Sequence, residues 1–277
     1  MKTAHIHLGP HKTGSTSFQL LMQEKEDTLN QSGVCFVSQH SRSRPEYMKW
    51  RKGFGEVLKK VDFGGLEGQE AFNLLVHQFE RLMPFVGEHS GLIFSDENIL
   101  GWPLGHYYGH YQASRRVDLF YPSWRVVLEA FATVLSRKFD VVSFYLVKRN
   151  WLEQVKSLYK DFFRKYYHEG YIPFEDFLAS LECCQAQQSF DRFWEEAASF
   201  PNAHVISYSS SSGEILLQFL DEGLGLPLMQ YSGEMPRSNS SLDDGLVEKM
   251  IALYPYLREG RSRYSDREFN FLRKLLS

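Results

Sequence analysis

The amino-acid sequence predicts an α/β protein: one domain over residues 1–277, with a central, mostly parallel β-sheet flanked by helices. Three observations carry that expectation. Short apolar runs recur at residues 3–8, 34–39, 91–95, 140–147 and 203–208, each the length of a buried strand. Between them lie longer stretches whose apolar residues return at helical spacing, so strands alternate with helices. A turn rich in glycine and hydroxyl residues joins the first run to the first helical stretch, as in phosphate-binding α/β proteins.

The elements follow in order. Residues 3–8 end at Gly9-Pro10, a stop signal for a strand. Thr13 to about Asn30 reads as one helix, with Phe18, Leu21, Met22 and Leu29 on its buried face. "VCFVSQ" at 34–39 is the second strand. The following segment, "SRSRPEYMKWRKGFGEVLKKVDFGG", is polar, basic and broken by glycine, which predicts an excursion over the surface. Residues 70–86 form an amphipathic helix through Phe72, Leu75, Val76, Phe79, Leu82 and Met83. "GLIFS" at 91–95 is the third strand, and 99–122 is irregular and aromatic-rich. Val126–Lys138 is helical and "DVVSFYLV" is the fourth strand. A helix then runs to about Tyr167, two more fill 174–198, "AHVISY" at 203–208 is the last strand, and helices complete the carboxyl end. The excursion at about 40–70 and the loop at 99–122 interrupt the alternation as insertions, where specificity for a ligand is expected.

Composition narrows the function classes. A formal net charge of −3 gives no global attraction to nucleic acid or to an anionic membrane, so any anion site is local. No stretch approaches the roughly 20 apolar residues of a membrane-spanning helix. "MKTAHIHLGP" lacks the apolar core of a secretory signal. The three cysteines, Cys35, Cys183 and Cys184, suit no disulfide framework or spaced zinc-ligand set, and a cytoplasmic protein with reduced thiols is expected. The oligomeric state leaves no trace in the sequence.

The chemistry concentrates in "GPHKTGSTSFQ" at 9–19. Gly9 and Gly14 free the backbone to close on a phosphate. Ser15, Thr16 and Ser17 add hydroxyls at the start of a helix, and Lys12 adds a mobile charge. A nucleoside-triphosphate loop, G-x-x-x-x-G-K-[ST], places its Lys directly after the second Gly. Here Ser15 fills that position and the Lys comes earlier.

That stretch resembles the 5′-phosphosulfate loop of sulfotransferases that use 3′-phosphoadenosine 5′-phosphosulfate, especially bacterial members with a G-P-H-K-T-G-[ST]-[ST]-S-x-Q pattern. The resemblance implies a P-loop NTPase-like sulfotransferase fold and a donor that needs no metal. It also implies a 3′-phosphate site made of an Arg after a central strand and a Ser eight positions later. "KRNWLEQVKS" supplies Arg149 and Ser157 at that spacing. "LIFSDENILG" resembles the family's strand ending in S-x-E-N, which places a carboxylate beside the sulfuryl group. "PRSNSSL" at 236–242 resembles a late segment that closes over the nucleotide through Asn239 and a Ser. One departure is visible: many members carry Tyr-Glu after the last strand, whereas Ser209 follows Tyr208 here.

On this resemblance Lys12 contacts the bridging oxygen of the donor, and the amides of Thr13, Gly14, Ser15, Thr16 and Ser17 hold the 5′-phosphate. Arg149 and Ser157 hold the 3′-phosphate. Glu97 is the first candidate for general base, against a purely structural hydrogen bond to the loop, and His11 is the second. Asp96 is assigned a supporting place behind Glu97. His106 and His110, in "GHYYGH", are candidates for the acceptor pocket, and their i, i+4 spacing alone does not make a metal pair. The basic stretch Arg42, Arg44, Lys49, Arg51 and Lys52 reads as a solvated face that could meet an acidic glycan or lipid acceptor. Two competing readings stay open: a P-loop kinase or NTPase using ATP and Mg²⁺ through Asp96, and a family member that binds nucleotide without transferring anything.

Overall fold

The computed structural model describes residues 1–9, 15–42, 44–62, 65–101, 120–166, 174–183, 185–209 and 212–234, together with 247 and 249. Among these, five strands form one all-parallel sheet: β1 (Thr3–His7), β2 (Val34–Ser38), β3 (Gly91–Ser95), β4 (Val141–Lys148) and β5 (Ala203–Ser207). Their order across the sheet is β2-β3-β1-β4-β5, which puts β1 at the centre. The register pairs His7 with Ser95 on one side and with Tyr145 on the other.

Side chains alternate across the strands and so split the core in two. Ala4, Ile6, Leu92, Phe94, Phe144 and Leu146 face one layer of helices. Val34, Phe36, Ile93, Tyr145 and Val147 face the other, which contains α1 (Ser15–Glu24), α2 (Glu26–Gln31) and α10 (Ser212–Leu224). The first layer holds α3 (Arg44–Asp62), α4 (Gly68–Glu80), α5 (Met83–Val86), α6 (Trp124–Leu135), α7 (Trp151–Tyr166), α8 (Phe174–Cys183) and α9 (Ala186–Ala198). No helix among the described residues is long and apolar enough to cross a membrane.

Several sequence expectations are corrected. The helix expected over Thr13–Asn30 is two helices meeting at Lys25, although Phe18, Leu21, Met22 and Leu29 are all buried as expected. The amphipathic segment 70–86 divides into α4 and α5 because Pro84 has no N–H to continue the first helix and instead starts the second. The largest correction concerns the expected surface excursion after residue 40. Residues 44–62 form the 19-residue helix α3, and Tyr47, Trp50, Phe54, Leu58 and Val61 are buried along one side of it. Their spacing follows the helical repeat. Gly53 and Gly55 read as breaks in the sequence, yet a Cβ at either would meet open space, so both lie where a helix tolerates glycine. Trp50 stacks on Phe54 with ring centroids 5.3 Å apart and donates from Nε1 to the Gln78 carbonyl at 2.7 Å, which fastens α3 to α4.

Candidate functional site

A parallel sheet gathers its ligand-binding loops at the carboxyl edge of the strands. Here the chain leaves β1 toward β2 on one side and leaves β4 toward β5 on the other. The loops after these two adjacent strands therefore diverge and open a crevice between them. In the sequence, residues 10–14 come between β1 and α1, and Arg149 directly follows β4. His11, Lys12, Thr13 and Gly14 lie outside the described residues, as do His106, His110 and Asn239. The described part of the site comprises Ser15, Thr16, Ser17, Glu97, Arg149 and Ser157.

Ser15, Thr16 and Ser17 form the first turn of α1, where backbone amides make no bond within the helix and point along its axis. Ser15 Oγ donates to Glu97 Oε2 at 3.0 Å. The structure therefore joins two residues that the resemblance named, one at the start of α1 and one just after β3. Gln19, one turn further along α1 and fully buried, reaches the same carboxylate. Its Nε2 lies 3.1 Å from the Ser95 carbonyl, 3.1 Å from Ser95 Oγ and 3.4 Å from Glu97 Oε2. Its Oε1 accepts from Gln39 Nε2 at 3.2 Å, and His7 Nδ1 lies 2.9 Å from Ser95 Oγ. The carboxyl ends of β1, β2 and β3 are thus bound into one polar network around Glu97.

Asp96 is fully buried and committed to structure. Its Oδ2 accepts from Tyr47 OH at 2.6 Å and pairs with Arg51 Nε at 2.8 Å. Its Oδ1 accepts from the Asn98 backbone and side-chain amides at 2.8 and 2.7 Å. Four donors on two oxygens fill a carboxylate's accepting capacity. Arg51, read in the sequence as part of a solvated basic face, is therefore an internal partner. The signal was present, since Tyr47 and Arg51 stand at i, i+4 on one helix, but nothing in the sequence indicated that this helix packs on the end of β3. Burial and, next, the Asp96 charge raise the Glu97 carboxyl above the ordinary glutamate value. Donation from its own backbone amide and from Ser15, and the Arg51 charge, oppose that rise.

Across the crevice, the Arg149 guanidinium lies over the Tyr208 ring, 4.0 Å from its centroid. Tyr208 is held by its backbone amide, which donates to the Lys148 carbonyl at 2.7 Å. Arg149 Nε is buried and has no hydrogen-bond partner among the described residues. Asn150 Oδ1 caps α7 by accepting from the Leu152 amide at 3.0 Å, and Ser157 stands half-buried two turns along that helix. The sequence reading missed Gln19, Ser95, Gln39 and the Tyr208–Arg149 stack. Of these only Gln19 carried a signal, as the last residue of the loop pattern.

A scan against protein-family models, a search of curated proteins and a search of solved structures each returned no match. The site has to be read from its own chemistry.

Proposed function

We propose that the chain is a sulfotransferase, moving a sulfuryl group from 3′-phosphoadenosine 5′-phosphosulfate to a hydroxyl or amine of a small-molecule, glycan or lipid acceptor. The observation that carries this reading is Arg149. A buried guanidinium N–H without a partner is costly unless a ligand supplies the acceptor, and a phosphate does so with strong, charge-assisted geometry. In the proposed step the acceptor oxygen or nitrogen bonds to sulfur while the bond from sulfur to the bridging phosphate oxygen breaks. The nucleotide phosphate leaves with the electron pair, and Glu97 takes the acceptor's proton. Lys12 offsets the charge that grows on the leaving oxygen, while the amides of residues 13–17 and the Thr16 and Ser17 hydroxyls hold the 5′-phosphate. Arg149 and Ser157 hold the 3′-phosphate, which ATP lacks.

The kinase reading needs a strand-end carboxylate free to hold Mg²⁺. Asp96 already accepts four donors, and Glu97, the neighbouring carboxylate, accepts from Ser15, the residue that stands where that reading needs its Lys. Calorimetry separates the two. The expected result is tight, metal-independent binding of 3′-phosphoadenosine 5′-phosphate, with ATP and Mg²⁺ much weaker. The reverse order of affinities overturns the proposal. Transfer of labelled sulfate, screened over carbohydrate, lipid and phenol acceptors, then identifies the second substrate and separates a working transferase from a protein that only binds nucleotide.

A further inference from the structure

We propose that Gln19 is a positioning residue for Glu97: its side-chain amide, locked by Ser95 and Gln39, fixes the orientation of the carboxylate through Oε2. The inference deepens the sulfotransferase reading and rests on it for its catalytic meaning, though not for its geometry. Gln19 is fully buried in the first turns of α1, and every contact of its amide is directional. Gln39 donates to Oε1, which determines which end of the amide faces β3. Nε2 therefore faces the Ser95 carbonyl, Ser95 Oγ and Glu97 Oε2. Ser15 donates to that same Oε2. Both donors come from α1 and neither donates to Oε1, so the two oxygens of Glu97 are inequivalent: one is tied to the loop helix.

The charges around Glu97 explain why such an anchor matters. Asp96 is adjacent, and its negative charge opposes ionisation of Glu97. Arg51 and Tyr47 on α3 are aimed at Asp96 rather than at Glu97. His7 on β1 meets the network only through Ser95, and burial keeps it neutral near pH 7. The Glu97 backbone amide, Ser15 and the Arg51 charge favour the carboxylate over the acid, and the Gln19 amide, 3.4 Å from Oε2, adds a buried donor that stops the carboxylate turning toward solvent. An amide can do this without adding a second titrating group beside the base.

The test uses Gln19→Met, which keeps the volume and removes the donor, with Gln39→Leu as a milder variant at a half-buried position. Carbon-13 NMR of labelled glutamate carboxyls, with Glu97 assigned by loss of its signal in Glu97→Gln, reports the Glu97 titration directly and needs no acceptor substrate. The expected result is an upward move of the Glu97 midpoint by at least half a pH unit in Gln19→Met and a smaller move in Gln39→Leu. Affinity for 3′-phosphoadenosine 5′-phosphate stays within about twofold. Once an acceptor is known, kcat falls about tenfold or more in Gln19→Met, and the acid limb of its pH profile moves up in parallel. An unchanged Glu97 midpoint in both folded variants overturns the proposal. A moved midpoint in a protein that fails to bind the 3′-phosphorylated nucleotide leaves the positioning role standing and overturns the sulfotransferase reading instead.

Discussion

At Glu97 two influences oppose each other. Burial and the Asp96 charge favour the acid, while its own backbone amide, Ser15 and the Arg51 charge favour the carboxylate. If Glu97 is the base of the proposed reaction, it works best above the ordinary glutamate range. Activity is therefore expected to rise with pH through the raised Glu97 value and to lose that limb in Glu97→Gln. The same substitution is expected to lower kcat by about two orders of magnitude while donor affinity stays nearly intact, as loss of a general base implies. Steady-state kinetics over a pH series, with calorimetry on the same protein, checks both. On the proposed reading Arg149→Ala removes a charged phosphate contact and is expected to weaken binding of 3′-phosphoadenosine 5′-phosphate by roughly 2–4 kcal/mol. The parent adenosine 5′-phosphate, which has no 3′-phosphate, should lose much less. Equal losses for both nucleotides would move Arg149 away from the 3′-phosphate.

Two contacts between elements decide whether the site is assembled. Helix α3 carries the strand end of β3 through Tyr47 and Arg51, and is itself held by the aromatic packing of Trp50 with Phe54 and Phe79. Trp50→Ala removes a large buried ring and its hydrogen bond, and is expected to cost about 3–5 kcal/mol of stability. Urea unfolding monitored by circular dichroism measures that loss. On the opposite face, α10 approaches β1 so closely at Gly223 that a Cβ there would overlap the His5 ring. Thr3 Oγ1 donates to the Gly223 carbonyl at the same point, 3.3 Å away. Gly223→Ala must push α10 off the sheet or turn His5 out of its place against Tyr145, whose hydroxyl lies 2.9 Å from His5 Nδ1. A loss of about 1–3 kcal/mol is expected from overpacking of this kind. Gly225→Ala is a poor control, because its positive φ of 66° brings strain of a different origin.

The molecule as a whole is organised around β1, and that strand sets an acid limit on stability. His5 and His7 are both buried, and desolvation lowers each from 6.5 to about 4. The unfolded chain therefore binds more protons than the folded one between those values. The stabilisation is complete above about pH 6.5 and is lost as pH falls toward about 4. Thermal unfolding over this range should show Tm falling steadily on acidification, and His7→Gln should flatten part of that slope. An unchanged slope would place the acid sensitivity elsewhere. Much of this architecture was legible in the sequence. All five strands were located to within a residue or two, because β2, β3 and β4, buried on both faces of the sheet, leave apolar runs and β1 ends at the Gly9-Pro10 stop signal. The buried face of helix α1 could be read for a similar reason, since it depends on residues close together along the chain, whereas the Arg149–Ser157 pair was named through a resemblance. Helix α3 escaped because its two glycines outweighed an aromatic stripe whose partner, α4, lies in a different part of the sequence. Arg51 escaped with it, since a charge on a polar stretch shows its partner only once the chain has folded. The amino-acid sequence by itself determined where the five strands lie and which residue types cluster at 9–19, because local patterning and spacing encode these. Only the tertiary structure decided that Asp96 is saturated, that Glu97 shares Ser15 and Gln19 with the loop helix, and that Arg149 rests on Tyr208. Each of those contacts joins segments far apart in the chain, and the register of the sheet brings them to one edge.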